Sequence, residues 1–270
     1  MEAEIIAVGT ELLLGDILNT NAQFLSRELA ALGITVHFQT VVGDNPARLE
    51  SVVRQARGRS DLLVFSGGLG PTEDDLTKQT VARAFGDTLR FDEAELEKIR
   101  AFFTAWGRTM PENNKKQAMV PTHGRKIPNA NGTAPGMIFE DQAAPGKYAV
   151  LLPGPPAELQ PMFLNEVKPW LAGLTDCALH SLVLRVAGIG ESHLEGKVAH
   201  LLAGENPTAA LYAKTGEVFI RITAKAQDAA AAEAMCRAFA GEFYAVLGDA
   251  IYGEDSETLA AAAVHALQKT

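Results

Sequence analysis

The chain has 270 residues, with 24 Lys and Arg against 33 Asp and Glu, a formal net charge of −9, and 47% hydrophobic residues. That length allows one large domain or two ordinary ones, with apolar residues enough for packed cores. The negative balance argues against non-specific nucleic-acid binding, which needs basic patches, and no apolar stretch is long enough to span a membrane.

The first ten residues, MEAEIIAVGT, lack a basic flank and a cleavage site and read as a strand, Glu4 to Val8, ending at Gly9-Thr10-Glu11. Asn19-Thr20-Asn21 supplies helix caps, and Phe24, Leu25, Leu29 and Leu32 form one side of a helix that stops at Gly33. A second strand, Thr35 to Val42, runs into Gly43-Asp44-Asn45-Pro46, where Asn45 suits an N-cap and Pro46 the first helical position. The run from Asp61 to Phe65 is apolar and of strand length, as expected of a strand buried on both faces. It breaks at Gly67-Gly68-Leu69-Gly70-Pro71, and Asp74 and Asp75 then open a helical pattern. Strands alternating with helices at this spacing predict βαβ units and a parallel sheet.

Helices are predicted over Asp92 to Trp106 and near Pro111, a loop over Asn129 to Gly136, and adjacent strands over Met137 to Glu140 and Lys147 to Leu152. Pro153-Gly154-Pro155-Pro156 turns the chain into a helix carrying Glu158, Leu159, Met162, Phe163 and Val167. Beyond it, Ser181–Val186, Glu191–Leu202, Ala209–Ala213, Glu217–Ala224, Asp228–Val246 and Ala250–Tyr252 read as β-α-β-β-α-β, a split-βαβ module. Between residues 175 and 255 six Lys and Arg face eleven Asp and Glu, and no aromatic pair is evident on a strand face, so no nucleic-acid partner is expected. Cys177 and Cys236 lie far apart without ligand-like spacing, as befits two reduced structural thiols in a cytoplasmic protein. The histidines show no pair at metal-ligand spacing. The boundaries implied are 1–172 for an α/β domain, 173–255 for a smaller α+β module and 256–270 for a helix leading to a domain absent from the chain.

The chemistry concentrates after the third strand. Glycines let the backbone approach a ligand, and free N–H groups at a strand-to-helix turn favour phosphate at the C-terminal end of a parallel sheet. Asp74 and Asp75 repel a bare phosphate, so the arrangement calls for a divalent cation between them; the alternative is that they cap the helix. Glu11 and Asp44 are equally readable as ligand contacts or as a solvated turn and an Asx cap. Asn113, Asn114 and Lys115 can hold phosphate or ribose, or form an exposed polar helix start. Glu158 faces the pocket or compensates a helix N-terminus.

Six blocks in order resemble the CinA family, the competence/damage-inducible proteins: GTELLLGDILNTNAQFLSREL (Gly9 to Leu29), TVVGDN (Thr40 to Asn45), SGGLGPTEDDLTK (Ser66 to Lys78), MPENNKKQA (Met110 to Ala118), NGTAPG (Asn131 to Gly136) and LLPGPPAELQPMF (Leu151 to Phe163). The resemblance implies a first domain of the molybdopterin-binding MoaB/MogA type, a three-layer α/β sandwich with a mainly parallel sheet, followed by a KH-like module. It implies metal-dependent cleavage of ADP-ribose to AMP and ribose 5-phosphate, with Mg²⁺, Mn²⁺ or Co²⁺ as the cation and K⁺ as a further candidate. Family members continue into a nicotinamide-nucleotide amidase domain, and that activity is not expected of this chain. The site so implied takes Asp74 and Asp75 as metal ligands, with Lys115 as the third catalytic residue. Its substrate contacts are Gly9, Glu11, Asp44, Gly67, Gly68, Gly70, Pro71, Thr72, Asn113, Asn114, Asn131, Thr133, Gly154 and Glu158. Molybdopterin adenylylation and non-catalytic nucleotide or pterin binding are the competing readings. A small nucleotide substrate, a homodimer and no membrane partner complete the expectation.

Overall fold

The structure, a computed structural model, describes residues 1–174 and 178–268. It forms two compact units, the first within residues 1–174 and the second chiefly of residues 178–268.

In the first unit β1 (Glu2–Val8) is followed by the short α1 (Thr10–Leu14), α2 (Thr20–Ala31), β2 (Thr35–Val42), α3 (Pro46–Arg59) and β3 (Leu62–Ser66). Asn45 caps α3 as its sequence position requires, its Oδ1 accepting from Arg48 N at 3.1 Å. Next come α4 (Thr77–Ala84), β4 (Leu89–Phe91), α5 (Glu93–Ala105), a 3₁₀ helix (Glu112–Ala118), β5 (Met119–Pro121), β6 (Arg125–Ile127), β7 (Gly136–Glu140) and β8 (Tyr148–Leu152). The unit closes with α6 (Pro156–Met162), which runs through one wide turn into α7 (Lys168–Ala172).

The six-stranded sheet has the order β2-β1-β3-β8-β7-β6, parallel from β2 to β8 and antiparallel beyond. All five residues of β3 are buried, as a central strand covered on both faces demands. On one face Ile6, Val8, Leu63, Phe65, Ala149 and Leu151 pack with Leu49, Val53 and Ala56 of α3 and Val81 and Ala82 of α4. The alternate residues of β3 turn to the other face, where Ser66 accepts a hydrogen bond from Asn21 of α2. The short strands β4, β5 and β6, three residues each, escape sequence reading because so few residues show no period.

The acids after the glycine turn do not open a helix. α4 begins at Thr77, and Leu76 at its N-cap makes no side-chain capping bond. Asp74 and Asp75 lie in the preceding turn, where Asp75 Oδ2 accepts from the N–H of Thr72 at 3.0 Å and from its hydroxyl. Asp75 therefore closes the turn by reaching back three residues to Thr72, and the capping alternative falls away.

The second unit contains β9 (Ala178–Ala187), α8 (Glu191–Leu202), β10 (Thr208–Lys214), β11 (Glu217–Ala226), α9 (Ala229–Leu247), β12 (Ile251–Glu254) and α10 (Leu259–Leu267). Its antiparallel sheet has the order β10-β11-β9-β12. Leu182, Leu184, Val186, Ile220 and Ile222 face Leu194 and Val198 of α8 and Cys236 and Phe243 of α9. Cys236 is a buried free thiol, and Cys177 lies outside the described residues. The register sets Tyr212 directly opposite Phe219 on the other face, an aromatic pair that the linear sequence does not disclose. Among the described residues no helix is long and apolar enough to cross a membrane.

Candidate functional site

Four parallel strands end at one edge of the sheet, and the order changes direction between β1 and β3, where open α/β sheets bind ligands. A cavity of about 380 Å³ lies there, lined from the ends of β1 (Gly9, Glu11), β2 (Asp44), β3 (Gly67 to Gly70) and β8 (Pro153 to Pro155). Asp74, Asp75, Gln117, Thr133, Ala134 and Glu158 complete it.

The glycine turn has its shape for steric reasons. Gly67 has φ +100°, and a Cβ there would lie 2.2 Å from the Val8 carbonyl oxygen. Gly68 has φ +69°, and a Cβ would meet Thr77 Oγ1 at 2.0 Å. Both positions thus exclude side chains. Gly67 N–H is taken by Leu152 O at 3.0 Å. The N–H groups of Gly68, Leu69 and Gly70 carry no intramolecular hydrogen bond among the described residues. Three successive free donors at a strand end form a concavity for anionic oxygen.

Around these donors are five carboxylates, Glu11, Asp44, Asp74, Asp75 and Glu158, and among the described residues no Lys, Arg or His lines the cavity. The Thr72 side chain, the backbone N–H of Asp74 and the nearby Lys116 charge together hold the Asp74 carboxyl below the usual range, outweighing desolvation. Burial pushes the Glu158 carboxyl up, against the Asn129 amide that donates to its Oε2 at 2.6 Å. Asp44 does two jobs: Oδ2 accepts from Thr10 N at 2.9 Å and Thr10 Oγ1 at 2.8 Å, and the residue lines the cavity. Cap and wall are thus compatible.

The other expected residues fall elsewhere, for reasons that are local. In a 3₁₀ helix residues three apart stack, so Asn114 and Gln117 both turn inward while Asn113 and Lys115 do not. Asn114 is buried and donates to Gln117 Oε1 at 2.7 Å, and Gln117 Nε2 reaches Leu69 O at 3.4 Å. Asn114 thus acts on the glycine turn through Gln117. Lys115 pairs with Glu112 at 2.6 Å and is not among the lining residues, so its assignment as the catalytic lysine does not match its position. Asn131 is structural as well: its Nδ2 donates at 2.8 Å to Ala157 O, the carbonyl that Pro161 leaves without a helical donor. Pro71 and Thr72 shape the turn without lining the cavity.

Sequence reading passed over four residues. Gln117 sits within MPENNKKQA, where only the three-residue period singles it out. Asn129 holds Glu158. Asn21 donates to Ser66 Oγ at 2.9 Å and Gly154 O at 2.6 Å, tying the ends of β3 and β8 to α2. Lys78 is 1% exposed; its Nζ donates to Met119 O at 3.2 Å and to Lys116 O, and Lys116 Nζ in turn donates to Thr72 O. Lys78 and Lys116 therefore brace the acidic turn from behind.

Burial lowers the Lys78 ammonium from 10.5 to about 7, helped by the Lys116 charge and opposed by Asp75. Between about 7 and 10.5 the unfolded chain therefore holds a proton that the folded chain has shed. The penalty for charging Lys78 is present in full below that window and disappears as pH rises through it. Stability is expected to climb across the window by up to ~1.4 kcal/mol per pH unit from this group. Urea titrations from pH 7 to pH 10 should show a shallower climb for Lys78→Met than for the wild type, and parallel curves would remove the assignment.

The donor set suits a hard divalent cation, which takes carboxylate, phosphate and water oxygens. Among the described residues no three His, Cys, Asp or Glu are grouped closely enough to hold a metal by themselves. A cation at the acidic turn would thus draw its remaining ligands from substrate oxygens and water, as Mg²⁺ commonly does.

Comparison with known proteins agrees with this architecture. The family described as "Probable molybdopterin binding domain" matches residues 4–173, and "Damage-inducible protein CinA KH domain" matches residues 181–253. A "Putative competence-damage inducible protein" of Lysinibacillus sphaericus (strain C3-41) is 49% identical over 270 residues, 99% of this chain and 64% of that protein. A "CinA-like protein" of Dictyoglomus turgidum is 50% identical over 268 residues, again 99% of this chain and 64% of the relative. The chain therefore spans about 64% of the length of these curated relatives. The crystal structure of "the protein CinA with unknown function from Thermoplasma acidophilum" is 37% identical, covers 63% of this chain and 98% of its own, and superposes with a TM-score of 0.56.

Proposed function

The chain belongs to the CinA family, and from that premise we propose that its first unit hydrolyses the pyrophosphate of ADP-ribose to AMP and ribose 5-phosphate with the help of a divalent cation. The observation that carries this reading is the pairing of three free turn N–H groups with five carboxylates in a cavity that, among the described residues, no cationic side chain lines. Such a site rejects a bare phosphate and accepts one whose charge a metal offsets. In this reading the N–H groups of Gly68 to Gly70 hold phosphate oxygens and stabilise charge that develops on them. Asp74 and Asp75 would hold the cation, which when bound with substrate neutralises and polarises the phosphate oxygens. Glu158, with its raised pKa, accepts the proton of the attacking water, and Asn129 fixes its orientation. Water forms the new P–O bond, and the bridging P–O bond breaks to leave the two monophosphates.

The test is to incubate the chain with ADP-ribose and Mg²⁺, Mn²⁺ or Co²⁺ and to separate the products. Metal-dependent release of AMP and ribose 5-phosphate is expected. Saturable binding without turnover under every metal would replace catalysis by a binding role. Transfer of an adenylyl group from ATP to a pterin acceptor would instead favour the adenylyltransferase reading.

A homodimer belongs to the same proposal. Leu13, Leu14, Ile17 and Leu18 are 55%, 72%, 52% and 85% exposed in one stretch after β1, apolar surface that a second copy would cover. Sedimentation at tens of micromolar should give a dimer, and Leu14→Asp with Leu18→Asp should shift it toward monomer. A wild-type chain that sediments only as monomer removes this expectation.

A further inference from the structure

The first unit carries a further cavity, of about 190 Å³, away from the glycine turn. Tyr148, the first residue of β8, lines it, whereas Pro153, just past the other end of that strand, lines the candidate site. The length of β8, roughly 13 Å, separates the two.

The walls come from one face of the sheet and from α7. Arg125 on β6 lies opposite Ile138 on β7, and Glu140, two residues on, lies opposite Tyr148 on β8. All four therefore share a face. Trp170 of α7 completes the cavity, and its ring meets that of Tyr148 edge to face at 5.2 Å. His123 also lines it, but its Nδ1 is committed to Asp87 Oδ1 at 2.9 Å, which leaves Arg125 as the available cation.

The two opposite charges on this wall are not spent on each other. Arg125 and Glu140 are diagonal neighbours across β6 and β7, a separation that long side chains span, yet among the described residues they form no ion pair. Arg125 turns to the Trp170 ring, 5.9 Å from its centroid, and its Nη2 donates to Glu166 O at 3.4 Å. Glu140 Oε1 accepts from Gly146 N at 3.5 Å, a long contact. Both charged side chains are exposed, and Tyr148 and Trp170 are half-buried between them and the core. A guanidinium and a carboxylate thus flank an aromatic floor, each without an ionic partner.

We propose that this cavity binds a small zwitterion, a free α-amino acid, whose carboxylate meets Arg125 and whose ammonium lies between Glu140 and the Tyr148 ring. A guanidinium holds a carboxylate through two parallel N–H groups. An ammonium gains from a carboxylate and from an aromatic face within about 6 Å. Ile138 and Trp170 offer apolar area to the ligand's side chain. Drug-sized ligands fill pockets of about 300–1,000 Å³, so a cavity of about 190 Å³ suits a smaller molecule. A ligand with one charge satisfies one wall, whereas a zwitterion satisfies both.

The experiment is a thermal-shift screen of the full chain with each of the common amino acids at about 10 mM, followed by calorimetric titration of those that stabilise it. At least one is expected to bind saturably. Its affinity should fall about tenfold or more in Arg125→Gln and in Glu140→Gln, both changes at exposed side chains. Arg125→Lys, which keeps the charge and loses the planar fork, should fall between wild type and Arg125→Gln. The N-acetyl and carboxamide derivatives of that amino acid, each lacking one charge, should lose a similar factor. Excess ADP-ribose should not displace it, because the candidate site lies at the other end of β8. No stabilisation by any amino acid overturns the proposal, as does binding that both Gln variants retain at wild-type strength. Equal affinity for the blocked derivatives also overturns it, because one charge would then suffice. Displacement by ADP-ribose would move the amino acid to the glycine turn and empty this cavity of its role.

Discussion

Asp74→Asn is expected to lower metal-dependent turnover of ADP-ribose by roughly a hundredfold or more, because a metal contact supplies several kcal/mol to the transition state. The same substitution should change stability by no more than about 0.5 kcal/mol, as befits an exposed residue outside any helix cap. Asp75→Asn separates the two roles differently. Asp75 Oδ2 closes the Thr72 turn, so this variant should lose turnover and also about 1 kcal/mol of stability. The stability difference between the variants tests the turn geometry, whereas the loss common to both tests the cation. Both variants hydrolysing ADP-ribose at the wild-type rate, with metal still required, would take the cation away from these acids. The structure independently argues against the simplest alternative, since neither acid caps α4.

Gly67→Ala should have the largest effect on stability, roughly 3–5 kcal/mol, from positive φ added to overpacking. The clash is with backbone: the new Cβ would lie 2.2 Å from Val8 O, at the point where β1 and β3 diverge. No side-chain rotation relieves it. A cheap comparison is Gly58→Ala in α3, where a Cβ meets nothing within 4 Å and about 0.5–1 kcal/mol of gain is expected from helix propensity. Equilibrium urea unfolding of the two variants measures the contrast. A Gly67→Ala chain within 1 kcal/mol of wild type would mean that the turn is not built as described. Because Gly68 to Gly70 carry the free donors, any soluble Gly67→Ala chain should also bind nucleotide poorly.

What the sequence determined by itself is the order of elements and the place of the site. Apolar runs of strand length, helical stripes and Gly-Gly-x-Gly after a buried strand are local signals, and β1, α2, β2, α3 and β3 lie where those signals put them. Glycine turns at strand ends give the cavity its floor, and they are equally legible. Which polar side chains enter the site was decided by tertiary structure. The 3₁₀ period turned Gln117 inward and Lys115 outward. A proline in α6 freed the carbonyl that Asn131 takes, and burial under the segment from Lys116 to Met119 made Lys78 a low-pKa lysine. The outer face of the second unit's sheet was decided in the same way. Strand alternation separates Phe219 and Arg221 from Val218 and Ile220 within one stretch of sequence, but only cross-strand pairing sets Tyr212 and Arg185 beside them. Composition sums charge over a chain, whereas a surface depends on which residues the pleat turns outward together.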